Sequence, residues 1–176
     1  MIFLKTIITL VSILLSFYLI GIFFEEKVKI PEESIRLRVL ANSNSEYDQQ
    51  IKKEVSYALQ NEISNIITLE DDINSAKLKL KNNLGIIDNR INNVLTSRNY
   101  NKSYNINLGL NYFPEKEFKG VKYKEGYYES LLVTIGEGKG NNWWCVLFPP
   151  LCILEAEESD EIEYSSLIKE VLEQYI

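Results

Sequence analysis

The sequence contains no histidine, and its 176 residues include only two cysteines. Without histidine the chain cannot form a Ser-His-Asp or Cys-His catalytic relay, and it lacks the nitrogen ligand of the usual mixed zinc sites. Two thiols alone make a poor metal cage. We therefore expect no metal, no cofactor and no catalytic residues in this chain.

Basic residues are also scarce. The chain has 19 Lys and Arg against 25 Asp and Glu, which gives a net charge of −6, and only four of the basic residues are Arg. A nucleic-acid-binding protein neutralises phosphates with a concentrated basic face. The composition therefore argues against nucleic acid and leaves proteins, membranes or cations as partners.

Charge is nearly absent from the first 24 residues, which carry only Lys5. Residues 6–24 form an uncharged run that is long enough, at about 1.5 Å per residue, to cross a hydrocarbon core of about 30 Å. We predict that residues 1–24 are a signal peptide or membrane anchor, with the rest of the chain outside because Lys5 precedes the run and acidic residues follow it. No alanine before Ala41 supplies an A-x-A cleavage motif, so the cleaved and anchored forms both remain open.

The rest of the chain divides into a tether and one domain. Residues 25–34 are polar and include Pro31, which is typical of a tether. Residues 35–176 form a unit of about 140 residues, and a domain of that size buries about 68% of its unfolded surface. We predict a single extracytoplasmic domain that needs neither a metal nor a disulfide merely to fold.

Strand and helix patterns open this domain. Residues 35–41 alternate between apolar side chains and others that are partly basic, which predicts a strand with one core face. Ser45, followed three residues later by Asp48, is typical of a helix N-cap. Apolar residues at spacings of three and four then predict a helix over residues 46–67.

The same apolar spacing continues over residues 69–94, which predicts one long helix in which Gly85 permits a bend. Beyond it the period changes to two. The order β-α-α-β-β-β-α predicts an α+β fold, a mostly antiparallel sheet with helices packed on one face. The later elements are predicted as strands at 104–112, 127–135 and 143–148 and a last helix from Asp160.

Two segments have the amino-acid composition of ligand-binding sites but lack the residue spacing of the known ligand-binding motifs. The glycine-rich loop at residues 136–142 does not contain the G-x-x-x-x-G-K-[ST] phosphate-binding motif, and we interpret it as a flexible hairpin connection. Residues 155–163 include six carboxylates but not the residue order of an EF-type calcium loop. We interpret this acidic cluster as a solvated lead-in to the last helix.

The two cysteines, Cys145 and Cys152, enclose a Pro-Pro dipeptide that is able to turn the chain back on itself. In an extracytoplasmic protein, an i, i+7 pair across such a turn can reach disulfide distance. A disulfide is our favoured prediction, and two buried free thiols on a core strand are the alternative.

Aromatic and proline residues are concentrated around this pair. Neighbouring residues of a strand face opposite ways, so Trp143 and Trp144 cannot both enter one core through one face. A rigid aromatic-proline surface suits protein or membrane contact. The structural alternative is that one Trp caps a core while the other lies under a helix. The predicted contact residues are Trp143, Trp144, Phe148, Pro149 and Pro150.

Two blocks of sequence carry a family resemblance. The stretch IRLRVLANSNSEYDQQIKKEV at residues 35–55 and the stretch NNWWCVLFPPLC at residues 141–152 follow the apolar N-terminal segment. In this order they resemble the stage II sporulation protein R family of endospore-forming bacteria. The second block is the more specific of the two.

The resemblance implies a signalling protein and not an enzyme. Family members are exported from the forespore toward the space between the two sporulating compartments. There they activate a membrane-embedded aspartic protease of the mother cell, stage II sporulation protein GA, which processes the sigma-E precursor. On this basis Asn42, Ser43, Asn44 and Ser45 are a second candidate partner-binding segment, with helix capping as their structural alternative. A carboxylate-dependent extracytoplasmic hydrolase and a passive cell-envelope module are the competing functions.

Overall fold

The computed structural model describes residues 6–7, 9–16, 33–68, 72–118, 121–152 and 172. Its elements form an α+β domain, as the sequence patterns predict. In chain order they are β1 (Ile35–Leu40), α1 (Glu46–Ile66), α2 (Ile73–Asn82), α3 (Leu84–Ser97), β2 (Tyr104–Phe113), β3 (Lys116–Phe118), β4 (Val121–Tyr123), β5 (Gly126–Ile135) and β6 (Asn142–Phe148).

The main sheet has four strands in the order β2-β5-β1-β6. β1 runs parallel to β5 and antiparallel to β6, and β2 runs antiparallel to β5. Two of the three neighbouring pairs are thus antiparallel, in line with the prediction, but the parallel β1–β5 pair makes the sheet mixed. The first strand of the domain therefore lies inside the sheet, between strands that come last in the described chain.

One face of the sheet packs against the helices. Alternate residues of β1 and β5 point toward the helices, and the apolar stripes of α1 and α3 meet them there, which is the burial that stabilises helices of this length. The side chains at the centre of the core are almost completely buried. They are Leu37, Val39, Ile51, Val55, Leu59, Ile87, Ile91, Leu131 and Val133.

The prediction of one long helix over residues 69–94 is wrong. The chain leaves the helical conformation at Asn83, whose ψ of 12° ends α2 and starts α3. The Asn83 side chain donates a 2.8 Å hydrogen bond to the carbonyl of Lys79, which is how asparagine competes with regular helix geometry. The buried stripe stays in phase across this break, from Leu80 to Ile87. Hydrophobic spacing alone therefore did not reveal it.

Two further predictions need correction. The loop at residues 136–142 is not a hairpin connection, because β5 and β6 are not neighbours and β1 lies between them. The turn-rich stretch after β2 contains the two-stranded sheet β3–β4, which the sequence pattern missed because each strand has only three residues.

The two ends of the chain are described only in small part. Residues 9–16 are helical, and no helix within the described part of the chain is long and apolar enough to span a membrane. Three predicted features therefore fall mainly or wholly outside the described residues. They are the signal or anchor at residues 1–24, the acidic cluster at 155–163 and the helix from Asp160, of which only the buried Leu172 is described.

Candidate functional site

The turn after β1 is built around the buried carboxylate of Asp48. Its Oδ2 accepts hydrogen bonds from Asn42 Nδ2 at 2.8 Å and Ser43 Oγ at 2.5 Å, and its Oδ1 accepts one from the Tyr100 hydroxyl at 2.6 Å. Ser45 caps α1, since its Oγ accepts a hydrogen bond from the backbone N–H of Asp48 at 3.2 Å. The Asp48 side chain thus holds together the turn after β1, the start of α1 and the segment that follows α3.

These hydrogen bonds set the charge state of Asp48. Burial alone works to raise its pKa, but the hydrogen bonds from Ser43, Tyr100, Asn42 and Ser45 outweigh burial and lower the pKa to about 2. Conversely, burial and the bond to Asp48 raise the pKa of the Tyr100 hydroxyl. The pair is therefore a carboxylate with a neutral phenol donor at neutral pH, an arrangement that stabilises structure.

The glycine-rich loop crosses over this turn. Asn42 Oδ1 accepts a 3.0 Å hydrogen bond from the backbone of Glu137, and Asn44 Oδ1 accepts one of 2.7 Å from the backbone of Asn141. A side chain at Gly140 would collide with the backbone of Ser43. The glycines therefore allow close backbone approach between two loops.

The second candidate segment, Asn42 to Ser45, is thus placed at the sheet edge where β1 and β5 end. Asn42 and Ser43 are half-buried and take part in the Asp48 network, while Asn44 and Ser45 are exposed at its rim. Each of the four side chains makes a hydrogen bond within the turn or to the crossing loop. The geometry gives them a structural role, and their role in partner binding stays a prediction.

Cys145 and Cys152 form a disulfide, as predicted, with their Cα atoms 5.4 Å apart. Both residues are buried on the helix side of the sheet. Gln60 of α1 donates a hydrogen bond from Nε2 to the carbonyl of Cys152. The disulfide therefore ties the turn after β6 back to β6, and the Gln60 hydrogen bond holds this turn against α1.

The predicted contact residues around this disulfide lie in different environments. Trp143 packs against the helix-side core, whereas Trp144 lies on the opposite face of the sheet, and both rings are partly exposed. Phe148, Pro149 and Pro150 are buried. The structure thus does not bring the five residues into one exposed surface, and the two tryptophans are the members with accessible area.

The face of the sheet away from the helices carries a cluster of rings and guanidinium groups. The rings of Phe113 and Trp144 are in contact at 5.5 Å between centroids. They belong to β2 and β6, the outermost strands, which lie about 14 Å apart in a flat sheet of this order. The end of the long β2–β5 ribbon therefore curls over this face and closes it in part. We call Arg36, Arg38, Phe113, Tyr128 and Trp144 the arginine–aromatic cluster.

Arg36 lies inside this cluster with 2% of its surface exposed. Its guanidinium carbon is 3.3 Å from the centre of the Tyr128 ring and 5.3 Å from that of Phe113. Nη1 and Nη2 have no acceptor in hydrogen-bonding geometry. Burial lowers the pKa of Arg36, and the neighbouring Tyr128 opposes the shift.

Arg38 is the next residue of β1 on the same face. Its guanidinium carbon is 5.7 Å from the Trp144 ring centre, and Nη1 donates a 3.3 Å hydrogen bond to the carbonyl of Tyr112. The Nε of Arg38 and the indole Nε1 of Trp144 are buried atoms that lack an acceptor. Burial lowers the pKa of Arg38.

Sequence reasoning missed this cluster, although one signal was present. The alternation in β1 placed both arginines on the face away from the core and marked that face as basic. What the pattern did not contain was the curl of the ribbon, which brings Phe113 over the same face from the far edge of the sheet. Among the residues that the structure describes, no group of His, Cys, Asp or Glu side chains is arranged to hold a metal ion.

Comparison with known proteins agrees with the two blocks of sequence. Residues 31–158 match the family model of stage II sporulation protein R. Stage II sporulation protein R of Bacillus subtilis (strain 168) is 36% identical over 169 residues, which cover 90% of this chain and 75% of that relative. No solved structure matches the chain. On this similarity, the chain belongs to the stage II sporulation protein R family.

Proposed function

We propose that this chain is an exported signal between the two compartments of a sporulating cell. In this proposal it passes from the forespore into the intermembrane space, either secreted or held in the membrane through residues 1–24. There it activates the membrane-bound aspartic protease stage II sporulation protein GA, which processes the sigma-E precursor. The observation that carries the proposal is the family match over residues 31–158, which includes every element of the described domain.

The disulfide supports the extracytoplasmic part of this proposal. Disulfides form and persist in oxidising compartments and are rare in the cytosol. The bond between Cys145 and Cys152 joins two buried positions of the core and is therefore structural. A domain stabilised in this way suits a site of action outside the cytoplasm.

The mechanism we propose is allosteric and needs no catalytic residue in this chain. The domain binds the extracytoplasmic side of the protease and favours its active state, and the gain in activity is limited by the difference in affinity for the two states. The catalytic aspartates belong to the partner. Trp143 and Trp144, as the accessible members of the predicted contact set, and the Asn42–Ser45 turn remain the proposed contact residues.

Co-expression in a non-sporulating host tests the proposal. The chain is produced with stage II sporulation protein GA and the sigma-E precursor, and precursor cleavage is followed by immunoblot. We expect cleavage that requires both this chain and its residues 1–24. The matched control is the chain without residues 1–24, which has the same domain but stays in the cytoplasm.

The negative outcome is also informative. If a known activator of the same protease triggers cleavage and this chain does not, the proposed function is wrong. Cleavage activity of the isolated chain on envelope polymers would then favour the hydrolase, and absence of any effect on either reaction would favour the passive envelope module.

A further inference from the structure

We propose that two copies of this chain join through the outer edge of β2, as antiparallel strands related by a two-fold axis at Leu108. β2 is the end strand of the main sheet, and among the strands that the structure describes it has a neighbour, β5, on one side only. The predicted tryptophan contacts and the Asn42–Ser45 turn belong to other elements. The proposal therefore goes beyond the proposed function and does not rest on it.

The first argument is that the edge of β2 is unprotected. An end strand normally carries a charged residue, a proline or a bulge that prevents another strand from pairing with it. β2 has ten residues, and none of them is charged or proline. Its pairing with β5 keeps one register from Tyr104 to Phe113. β6, at the other end of the sheet, is shorter and has a register shift in its pairing with β1. β2 is therefore the edge that is suited to accept a further strand.

The second argument is the direction of the main-chain groups. The carbonyl of Ser103 accepts a 2.7 Å hydrogen bond from the N–H of Gly136, at the end of β5. Successive residues of an antiparallel strand point their N–H and C=O groups to opposite sides, so the even-numbered residues of β2 point away from β5. The outward carbonyl of Tyr112 accepts a hydrogen bond from Arg38. The edge that is open to a second strand therefore runs over residues 104–110.

The third argument, which identifies the occupant as a second copy, is the sequence of the strand. Residues 104–112 read Y-N-I-N-L-G-L-N-Y, which is nearly a palindrome centred on Leu108. A two-fold axis at Leu108 places like side chains opposite each other, and such cross-strand pairs stabilise a sheet. The pairs are Tyr104 with Tyr112, Asn105 with Asn111, and Ile106 with Leu110. The same register places outward-pointing residues opposite each other, as an antiparallel ladder requires. A shift by one residue would lose both matches.

The fourth argument is the uneven burial of the helix-side face along the β2–β5 ribbon. Tyr104 and Ile106, in the first half of β2, pack against the core. Leu110, in the second half, is 66% exposed, and Tyr127 on the same face of β5 is 73% exposed. Exposed apolar side chains that lie together mark contact sites. The two-fold axis at Leu108 places the packed half of one copy beside the exposed half of the other, so each copy extends the apolar face of its partner.

Cysteine cross-linking tests both the contact and its register. Asn105 and Asn107 are exposed side chains on the same face of β2. In the proposed dimer the two copies of position 107 are diagonal neighbours about 7–8 Å apart, whereas the two copies of position 105 are about 20 Å apart along the strands. The full chain in nonionic detergent micelles is treated with a short bismaleimide, and dimer formation is followed on denaturing gels.

We expect Asn107→Cys to form the cross-linked dimer at least about tenfold faster than the matched control Asn105→Cys, because proximity makes the second reaction intramolecular. Equal rates at the two positions would show that the copies meet without this register. No cross-link at position 107 would show that the edge does not bind a second copy. Either result would overturn the proposal.

A charge placed on the edge tests the contact independently. Leu110→Lys alters an exposed side chain and puts a charge opposite Ile106 twice in each dimer. In the Asn107→Cys background it should lower the cross-linking rate at least about tenfold. The matched control is Tyr57→Lys, at an exposed apolar position of α1, and it should leave the rate unchanged. Circular dichroism confirms that both variants are folded, and an unchanged rate in folded Leu110→Lys would overturn the proposal. If Leu110→Lys fails to fold, the comparison of positions 105 and 107 decides alone.

Other occupants of the edge are separate outcomes. A cross-link from position 107 to the protease in the co-expression system, with none between copies, would overturn the assignment to a second copy. A cross-link within one chain, to a cysteine introduced in its own residues 153–171, would do the same. Because the main test contains no protease, failure of the unaltered chain to trigger precursor cleavage would refute the proposed function only, and cross-linking would still decide the dimer.

Discussion

The Tyr100 hydroxyl donates a 2.6 Å hydrogen bond to Asp48 across 52 residues of sequence. It joins the end of α3 to the first turn of α1, next to the loop that follows β1. The segment from Asn42 to Asp48 therefore has a structural function. Any residue of this segment that also binds a partner must do so while keeping its hydrogen bonds within the turn. It also gives the most direct predictions about stability.

Asp48→Asn should destabilise the domain by about 2–3 kcal/mol, because the substitution removes a charged acceptor and leaves buried donors unpaired. Urea unfolding followed by circular dichroism measures the loss. The matched control is Asp88→Asn, whose exposed carboxylate accepts a 2.8 Å hydrogen bond from Tyr104, and this variant should lose less than about 1 kcal/mol. Equal losses in the two variants would contradict the account of the network.

Stability should fall in strong acid because of the same residue. The pKa of Asp48 is lowered in the folded state to about 2, from an ordinary value near 4. Its contribution is therefore complete above pH 4 and is lost as the pH falls from about 4 to about 2. We expect this contribution to the unfolding free energy to be about 1–2 kcal/mol, because solvent beside the turn screens part of the charge interaction. The measurement is the difference in unfolding free energy between the original chain and Asp48→Asn at each pH, and a difference that stays constant between pH 5 and 2 would refute it.

Replacing the disulfide should cost about 2–3 kcal/mol, since closing an eight-residue ring restricts the unfolded chain by about that amount in the entropic model. The variant is Cys145→Ser with Cys152→Ser, compared with the original chain by thermal unfolding with and without dithiothreitol. The original chain should lose stability on reduction, and the double variant should not respond to the reductant. An original chain that is also indifferent to the reductant would show that the bond does not stabilise the fold.

Alanine substitution should lower the stability of the fold at Gly140 and raise it at Gly85. A Cβ at Gly140 would lie 2.6 Å from the carbonyl carbon of Ser43, so Gly140→Ala should cost about 2–3 kcal/mol by forcing the two loops apart. A Cβ at Gly85 in α3 meets open space, and Gly85→Ala should gain about 0.5 kcal/mol from helix propensity. Differential scanning calorimetry of both variants tests the pair. A tolerated alanine at position 140 would show that the loop crossing is not close-packed.

The sequence patterns were most informative where one local period decides the structure. β1, α1 and β2 lie within a residue or so of their predicted bounds, since alternation and the Ser45 cap are local signals. The break at Asn83 was hidden because the buried stripe stays in phase through it. The insertion of β1 between β5 and β6 was hidden because pairing partners far apart in sequence leave no local period.

The same distinction applies to the candidate site. The pairing of Cys145 with Cys152 was predictable because both partners lie within eight residues. The placement of Trp143 and Trp144 on opposite faces followed from strand alternation. The arginine–aromatic cluster was not predictable, because it unites β1, β2, β5 and β6 through a curl of the sheet that depends on tertiary packing.

The central position of β1 has a consequence for the timing of the proposed signal. If the chain is exported as proposed, β1 leaves the channel before the other strands, and both of its neighbours, β5 and β6, follow about 90 or more residues later. The four-stranded sheet would then close only after nearly all of the described domain has crossed the membrane. A chain still threaded through the channel would lack both the disulfide and the arginine–aromatic cluster, because each includes residues of β6. Under the proposed function, the domain would therefore be able to act on its partner only after its translocation is complete.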